Sequence, residues 1–195
     1  MSGARPPRLL SSRPAPAGFS AIAPSGRASV FPVGKGPELG QAAPDFTLDS
    51  TAGPIRLAER LESNAVLLVF YPGDDTPVCT RQLCDYRDNL EVFRELGVDV
   101  LALNPQSLES HASFAEKHDL PFPILSDADG AVCKAYGASG LLGMTKRALF
   151  LIDRAGRVRY RQVDLPIFRR KADELRDVIA GLGLDRPGTH SQETT

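Results

Sequence analysis

The chain has 195 residues and a mass of 21.0 kDa, enough for one domain with a sizeable core. Its 42% hydrophobic and 24% charged residues are ordinary for a globular protein, and a net charge of −1 gives no whole-molecule attraction to nucleic acid. The longest wholly apolar run, Ala65 to Tyr71, is far short of the roughly 20 residues a membrane helix needs, and three cysteines are too few for a disulfide scaffold. If the thiols matter, they matter chemically.

Charge is uneven along the chain. Residues 1–37 carry Arg5, Arg8, Arg13, Arg27 and Lys35 with no acid, a net +5 against −6 for the remainder. Seven prolines and no hydrophobic periodicity make residues 1–39 a disordered basic extension, unable to offset its own ordering entropy. It lacks the apolar stretch of a secretory signal. A transit segment and an upstream start codon, overcalled in a GC-rich genome, are the two readings that stand.

From residue 40 to 184 the pattern is that of a folded domain, followed by a polar tail over 185–195. Phe46 to Leu48 and Ile55 to Leu57 predict short strands around a Gly53-Pro54 turn. Ala65 to Tyr71 reads as a strand buried on both faces, stopped by Pro72. Val78, Leu83, Tyr86, Leu90, Phe93 and Leu96 recur at helical spacing up to Gly97, predicting one helix. Val98 to Leu103 is a second buried strand, Ser107 to His118 a helix with Ser107 as N-cap, and Phe122 to Leu125 a short strand. Asp129 to Tyr136 predicts a short helix ended by Gly137. Ala148 to Ile152 and Val158 to Val163 form a hairpin around Asp153-Arg154-Ala155-Gly156. Ile167, Leu175, Val178, Ile179 and Leu182 give a closing amphipathic helix. This order is that of a thioredoxin-like α/β sandwich, a central mixed β-sheet flanked by helices. Order alone says little about function.

Cys79 stands where a turn opens into a helix. A thiol in the first helical turn faces unpaired backbone N–H groups and the positive end of the macrodipole, which favour the nucleophilic thiolate. Thr76, three residues upstream, brings a hydroxyl beside it. Cys84 follows five residues later. On an intact helix the two Cα atoms are roughly 8–9 Å apart, beyond the approximately 7 Å limit for a disulfide. A bond between them requires the helix start to unwind. The spacing is not that of C-x-x-C, which argues against a simple thiol–disulfide exchanger.

Pro72-x-x-x-Thr76-x-x-Cys79 resembles the P-x-x-x-T-x-x-C signature of peroxiredoxins. Ala43-Pro44-Asp45-Phe46, Phe70-Tyr71-Pro72, Cys79-Thr80 and Cys84 are similar to the Q-type (bacterioferritin comigratory protein) subgroup. So are Glu109-Ser110-His111, Leu120-Pro121-Phe122-Pro123, Tyr136-Gly137 and Arg147 with Phe150-Leu151-Ile152-Asp153. The similarity covers residues 40–182. It implies a thiol peroxidase for hydrogen peroxide and organic hydroperoxides. Cys79 would attack the O–O bond and become a sulfenic acid. Thr76 would hydrogen-bond the peroxide, Pro72 shield the pocket, and Arg147 stabilise thiolate and transition state. Cys84 would resolve the sulfenic acid, and thioredoxin or a similar dithiol would reduce the disulfide. Neither metal nor organic cofactor is implied. A cytoplasmic monomer is expected, with an organelle as the alternative. The other functional class to weigh is a non-catalytic redox sensor, which would oxidise once without rapid recycling.

Two departures from the pattern stand out. Gln82 replaces a common Glu three residues after Cys79, keeping the hydrogen bonding and losing the charge. Ala148-Leu149 replaces a common Ser-Thr. Cys133 reads as a small core residue, with a second resolving thiol as the alternative. His111 and His118, two helical turns apart, are too far from each other to share a metal ion. Arg154, Arg157, Arg159 and Arg161 read as the solvated face of a strand.

Overall fold

The computed structural model describes residues 35–140, 144–164 and 170–184; the expected tail, and all but the last residues of the expected extension, lie outside them. Ala65 to Phe70 forms a strand, β3, buried at every position, as a continuous run of apolar and β-branched residues dictates. It is the centre of a five-stranded sheet. Numbering in chain order from the short antiparallel pair β1 (Thr47–Leu48) and β2 (Ile55–Arg56), the other members are β4 (Val98–Asn104), β5 (Ile124–Ser126), β6 (Arg147–Ile152) and β7 (Val158–Asp164). Their order is β5-β4-β3-β6-β7, with β3, β4 and β5 parallel and β6 and β7 antiparallel to their neighbours. The mixed sheet expected from the sequence is present.

Successive β3 side chains alternate between two cores. Ala65, Leu67 and Val69 pack with Cys79, Leu83, Tyr86, Phe93, Phe114 and Ile179 on one face. Val66, Leu68 and Phe70 pack with Tyr136, Phe150, Val132 and Cys133 on the other. Helices cover both faces: α1 (Leu57–Leu61), α2 (Pro77–Asp88), α3 (Leu90–Glu95), α4 (Leu108–Lys117), α5 (Ala131–Ala135) and α6 (Ala172–Gly181). None is long and apolar enough to cross a membrane among the described residues.

Three expectations are corrected. The single helix expected from Val78 to Leu96 is broken at Asn89, whose amide donates to the Asp85 carbonyl at 2.8 Å while its backbone leaves the helical region at ψ 15°. Asn competes for backbone partners in this way, and hydrophobic spacing does not register it. Leu57, expected to finish a strand, begins α1. The closing helix starts at Ala172, and the expected Ile167 lies outside the described residues. Ser107 caps α4 as expected, accepting from the Ser110 N–H at 3.3 Å.

The folded body also starts ahead of residue 40. Gly36 is buried against the backbone of Tyr136, and Gly40, Gln41 and Ala43 exchange main-chain hydrogen bonds with Val158 and Gly156.

Candidate active site

The site forms where β3 ends. Pro72, half-buried, stops the strand, and residues 73–76 turn the chain into α2. Thr76 is the N-cap residue, and Pro77 at the first helical position gives up an N–H that would be unpaired anyway. The Thr76 hydroxyl donates to the Gly73 carbonyl at 3.2 Å instead of capping the helix, so it stays on the exposed mouth of the turn. Cys79, the third helical residue, is 1% exposed. It therefore combines a buried sulfur with the electropositive first turn of a twelve-residue helix.

β6 delivers the cation. Arg147 opens this strand, pairs with Asp164 of β7 one residue before β6 meets the end of β3 at Ala148–Phe70, and is itself 2% exposed. Its Nη2 donates to Cys79 Sγ at 3.3 Å, and its Nη1 donates to Gln82 Oε1. Gln82 Nε2 in turn donates to the Tyr86 hydroxyl at 2.8 Å, which donates to the Arg170 carbonyl at 3.0 Å. Burial pushes the Tyr86 phenol up, the hydrogen bond from Gln82 working against it. Pro72, Thr76, Cys79 and Arg147 are thus brought to one end of the sheet, the contact of Cys79 with Arg147 joining residues 68 apart in sequence.

A buried thiol held by a guanidinium at a helix start can attack an electrophile, and the same donors can stabilise the negative charge that its leaving group gains. Residues 39–161 match the AhpC/TSA family. The chain belongs to that family. It is similar to peroxiredoxin Bcp of Bacillus subtilis, 37% identical over 129 residues, which span 62% of this chain and 82% of the relative. It is also similar to the chloroplastic peroxiredoxin Q of Triticum aestivum, 36% identical over 151 residues, 75% of this chain and 70% of the relative. Among solved structures, peroxidoxin BcpB from Mycobacterium tuberculosis superposes with a TM-score of 0.66 at 32% identity, covering 74% of this chain and 97% of that one. This chain is accordingly a thiol peroxidase with the thioredoxin-like fold.

In this peroxiredoxin, Cys84 lies half-buried on the same unbroken helix as Cys79, and both thiols are free. The offset of five residues turns the two side chains roughly 140° apart around the helix axis. Cys133 belongs to the core on the opposite face of the sheet. Burial, with Asp127 beside it, pushes its thiol up to about 12. That is the environment of an inert core cysteine, as expected from the sequence.

The sequence reading missed the residues that hold the turn. Asp74 is nearly buried, and its carboxylate accepts from the Tyr71 hydroxyl (2.6 Å), Ser110 Oγ (2.6 Å), His111 Nδ1 (2.9 Å) and Asn104 Nδ2 (3.3 Å). Burial works to raise the Asp74 pKa. Hydrogen bonds from His111, Ser110 and Tyr71 outweigh it and hold the carboxyl below its ordinary value. Burial and then the neighbouring Asp74 push the Tyr71 phenol up. Asp75, exposed and at a φ of 55°, reaches Lys117 Nζ at 2.6 Å and His118 Nε2 at 3.4 Å. His111 on α4 and His118 at its C-cap therefore meet consecutive aspartates. Their seven-residue spacing is the signal the sequence offers, and a metal-ligand reading of it does not find these carboxylates.

Proposed function

We propose that Cys79 is the peroxidatic residue of this thiol peroxidase and Cys84 its resolving partner. The Cys79 thiolate attacks one peroxide oxygen, the S–O bond forms as the O–O bond breaks, and the departing oxygen takes a proton to leave as water or an alcohol. Arg147 stabilises both the thiolate and the charge that develops on the oxygens. Thr76 positions the peroxide, and Pro72 shields the sulfur from bulk water. Cys84 then attacks the sulfenic sulfur, forming the S–S bond and expelling hydroxide that becomes water. A dithiol of the thioredoxin kind reduces the disulfide. Hydrogen peroxide and organic hydroperoxides are the substrates, acted on by a monomer with no nucleic-acid partner.

The observation that carries this reading is the Arg147 guanidinium on Cys79 Sγ at a helix start. The compartment is an aqueous, reducing one, the cytoplasm. The chloroplastic wheat relative keeps an organelle as the alternative, with residues 1–37 as a transit segment.

The test is intact mass and free-thiol counting after one equivalent of hydrogen peroxide, with turnover in the presence of thioredoxin and its reductase. Wild type should lose two hydrogens, and Cys84→Ser should stop at a Cys79 sulfenic acid. Continued loss of two hydrogens in Cys84→Ser would assign resolution elsewhere. No reaction of Cys79 at all would end the reading.

A further inference from the structure

α2 is held at both ends. Upstream, residues 73–76 are fastened to α4 and its approach through Asp74, as described, through the Asp74 N–H donating to Gln106 Oε1 at 2.6 Å, and through Asp75 with Lys117. Downstream, Asp85 Oδ2 accepts from the Ala172 N–H at the start of α6 (3.0 Å), Tyr86 donates to the Arg170 carbonyl, and Arg87 Nη1 donates to the His118 carbonyl at 2.6 Å. Both cysteines lie between these anchors. If Cys84 is to reach Cys79, the unwinding falls on the stretch from Pro77 to Cys84.

Gln82 lies inside that stretch, fully buried, with one end of its amide on Arg147 and the other on Tyr86. We propose that Gln82 is the latch of this helix: its hydrogen bond with Arg147 holds the reduced helical form, and its release sets the rate at which Cys84 closes on oxidised Cys79. This rests on the assignment of those two cysteines under the proposed function. Opening the turn between them rotates the backbone that carries Gln82 and withdraws its amide from Arg147. Oxidation sharpens the dependence on Gln82. Once the thiolate has become a neutral sulfenic acid, the charge-assisted contact between Arg147 and Cys79 weakens, whereas the contact between Arg147 and Gln82 is unchanged. An amide is also a weaker hold than a carboxylate, whose bond to a guanidinium is charged on both sides. Gln82 is therefore a positioning residue that acts through Arg147.

The experiment uses the full chain as wild type, Gln82→Met and Gln82→Glu. Each is oxidised with hydrogen peroxide, acid-quenched at intervals, alkylated and weighed. Formation of the sulfenic acid scales with peroxide concentration, whereas the later loss of water to give the disulfide does not, so the two steps separate. Met keeps the volume without an acceptor, and the peroxide-independent step should accelerate about tenfold or more. Glu keeps the acceptor and adds charge, and that step should slow by about tenfold. Under excess peroxide, sulfinic acid should accumulate more in Gln82→Glu and less in Gln82→Met than in wild type. If the Met variant unfolds, the Glu arm alone decides. A disulfide step in wild type with the same rate in both variants would overturn the latch while leaving the cysteine assignment standing. Absence of disulfide in wild type would overturn both.

Discussion

Replacing Arg147 by Lys tests the chemistry while keeping a positive charge at the site. From one rigid fork the guanidinium places Nη2 on Cys79 Sγ at 3.3 Å and Nη1 on Gln82. A lysine ammonium is a point charge on a flexible stem and cannot reproduce that fork. At a position 2% exposed, water does not fill in for the missing donor. In the transition state of the proposed attack by Cys79, negative charge passes from sulfur to the separating oxygens, so the lost donor is one aimed at developing charge. Removal of such a donor costs about 10²–10³ in rate, or roughly 3–4 kcal/mol of barrier. The assay is the second-order rate of Cys79 oxidation, read by quench and alkylation at fixed pH, with Arg159→Lys, exposed on β7, as a surface-strand control. A loss of only a few-fold in Arg147→Lys, with Arg159→Lys unchanged, would show that charge alone suffices and would refute the fork argument.

Four further outcomes follow from the geometry. Cys133→Ser should keep both the peroxide rate and the loss of two hydrogens, because Cys133 packs on the other face of the sheet; intact mass after one equivalent of peroxide checks this. In the native protein at neutral pH, iodoacetamide should leave Cys133 unmodified while Cys84 reacts, as peptide mapping would show, since burial pushes the Cys133 thiol up to about 12. Because the folded protein holds the Asp74 pKa below its ordinary value, Asp74 contributes stability that is present above the unfolded pKa and is lost as pH falls through the folded one. Asp74→Asn should thus cost about 2–4 kcal/mol in urea at neutral pH and flatten the loss of stability on the acid side. Gly36→Ala would place a Cβ 2.1 Å from the Tyr136 carbonyl oxygen at a φ of +69°, whereas Gly156→Ala meets open space at a similar φ. The first should cost more than about 2 kcal/mol and the second about 1, and equal urea midpoints would contradict the packing of Gly36 against Tyr136.

The central strands were legible in this sequence because they are buried on both faces, and the β6–β7 hairpin because a turn with Gly156 separates two strand-forming runs. The run from Ala65 to Phe70 and the β6–β7 hairpin appear within a residue of their expected bounds. The division of one expected helix into α2 and α3 was not legible, because Asn89 acts through a single side-chain hydrogen bond that hydrophobic spacing does not carry. At the site, Cys79 and Thr76 were readable from their place where a turn opens into a helix, and Pro72 joined them through the resemblance. Arg147 came from resemblance alone, since nothing in local pattern says that the first residue of β6 meets the first turn of α2. Asp74 was invisible for the same reason: its carboxylate partners Ser110 and His111 are 36 and 37 residues away. Arg161, read as part of a solvated face, instead donates to the Lys35 carbonyl at 2.7 Å with its guanidinium 6.0 Å from the Phe150 ring centroid.

On the proposed assignment of Cys79 as attacking and Cys84 as resolving thiol, the polar groups around α2 resolve a conflict that the two cysteines create. Peroxide attack needs the first turn intact, since the helix start and Arg147 favour the thiolate only while Cys79 is seated against them. Disulfide formation needs that same turn undone. A helix free to fray at either end would meet the second need and fail the first. Here the polar bonds at both boundaries confine the change to the residues that must move, with Asp74 on the α4 side and Asp85 with Tyr86 on the α6 side. Asp74 is the stronger of these holds, a nearly buried carboxylate with four side-chain donors, and its charge is satisfied whether or not Cys79 is oxidised. Weakening it should therefore act on the first step. Asp74→Asn should lower the second-order rate with peroxide, because the turn that presents Thr76 loosens, and leave the peroxide-independent disulfide step no slower than in wild type. A slower disulfide step with an unchanged peroxide rate would reverse the assignment and make residues 73–76 part of the segment that moves.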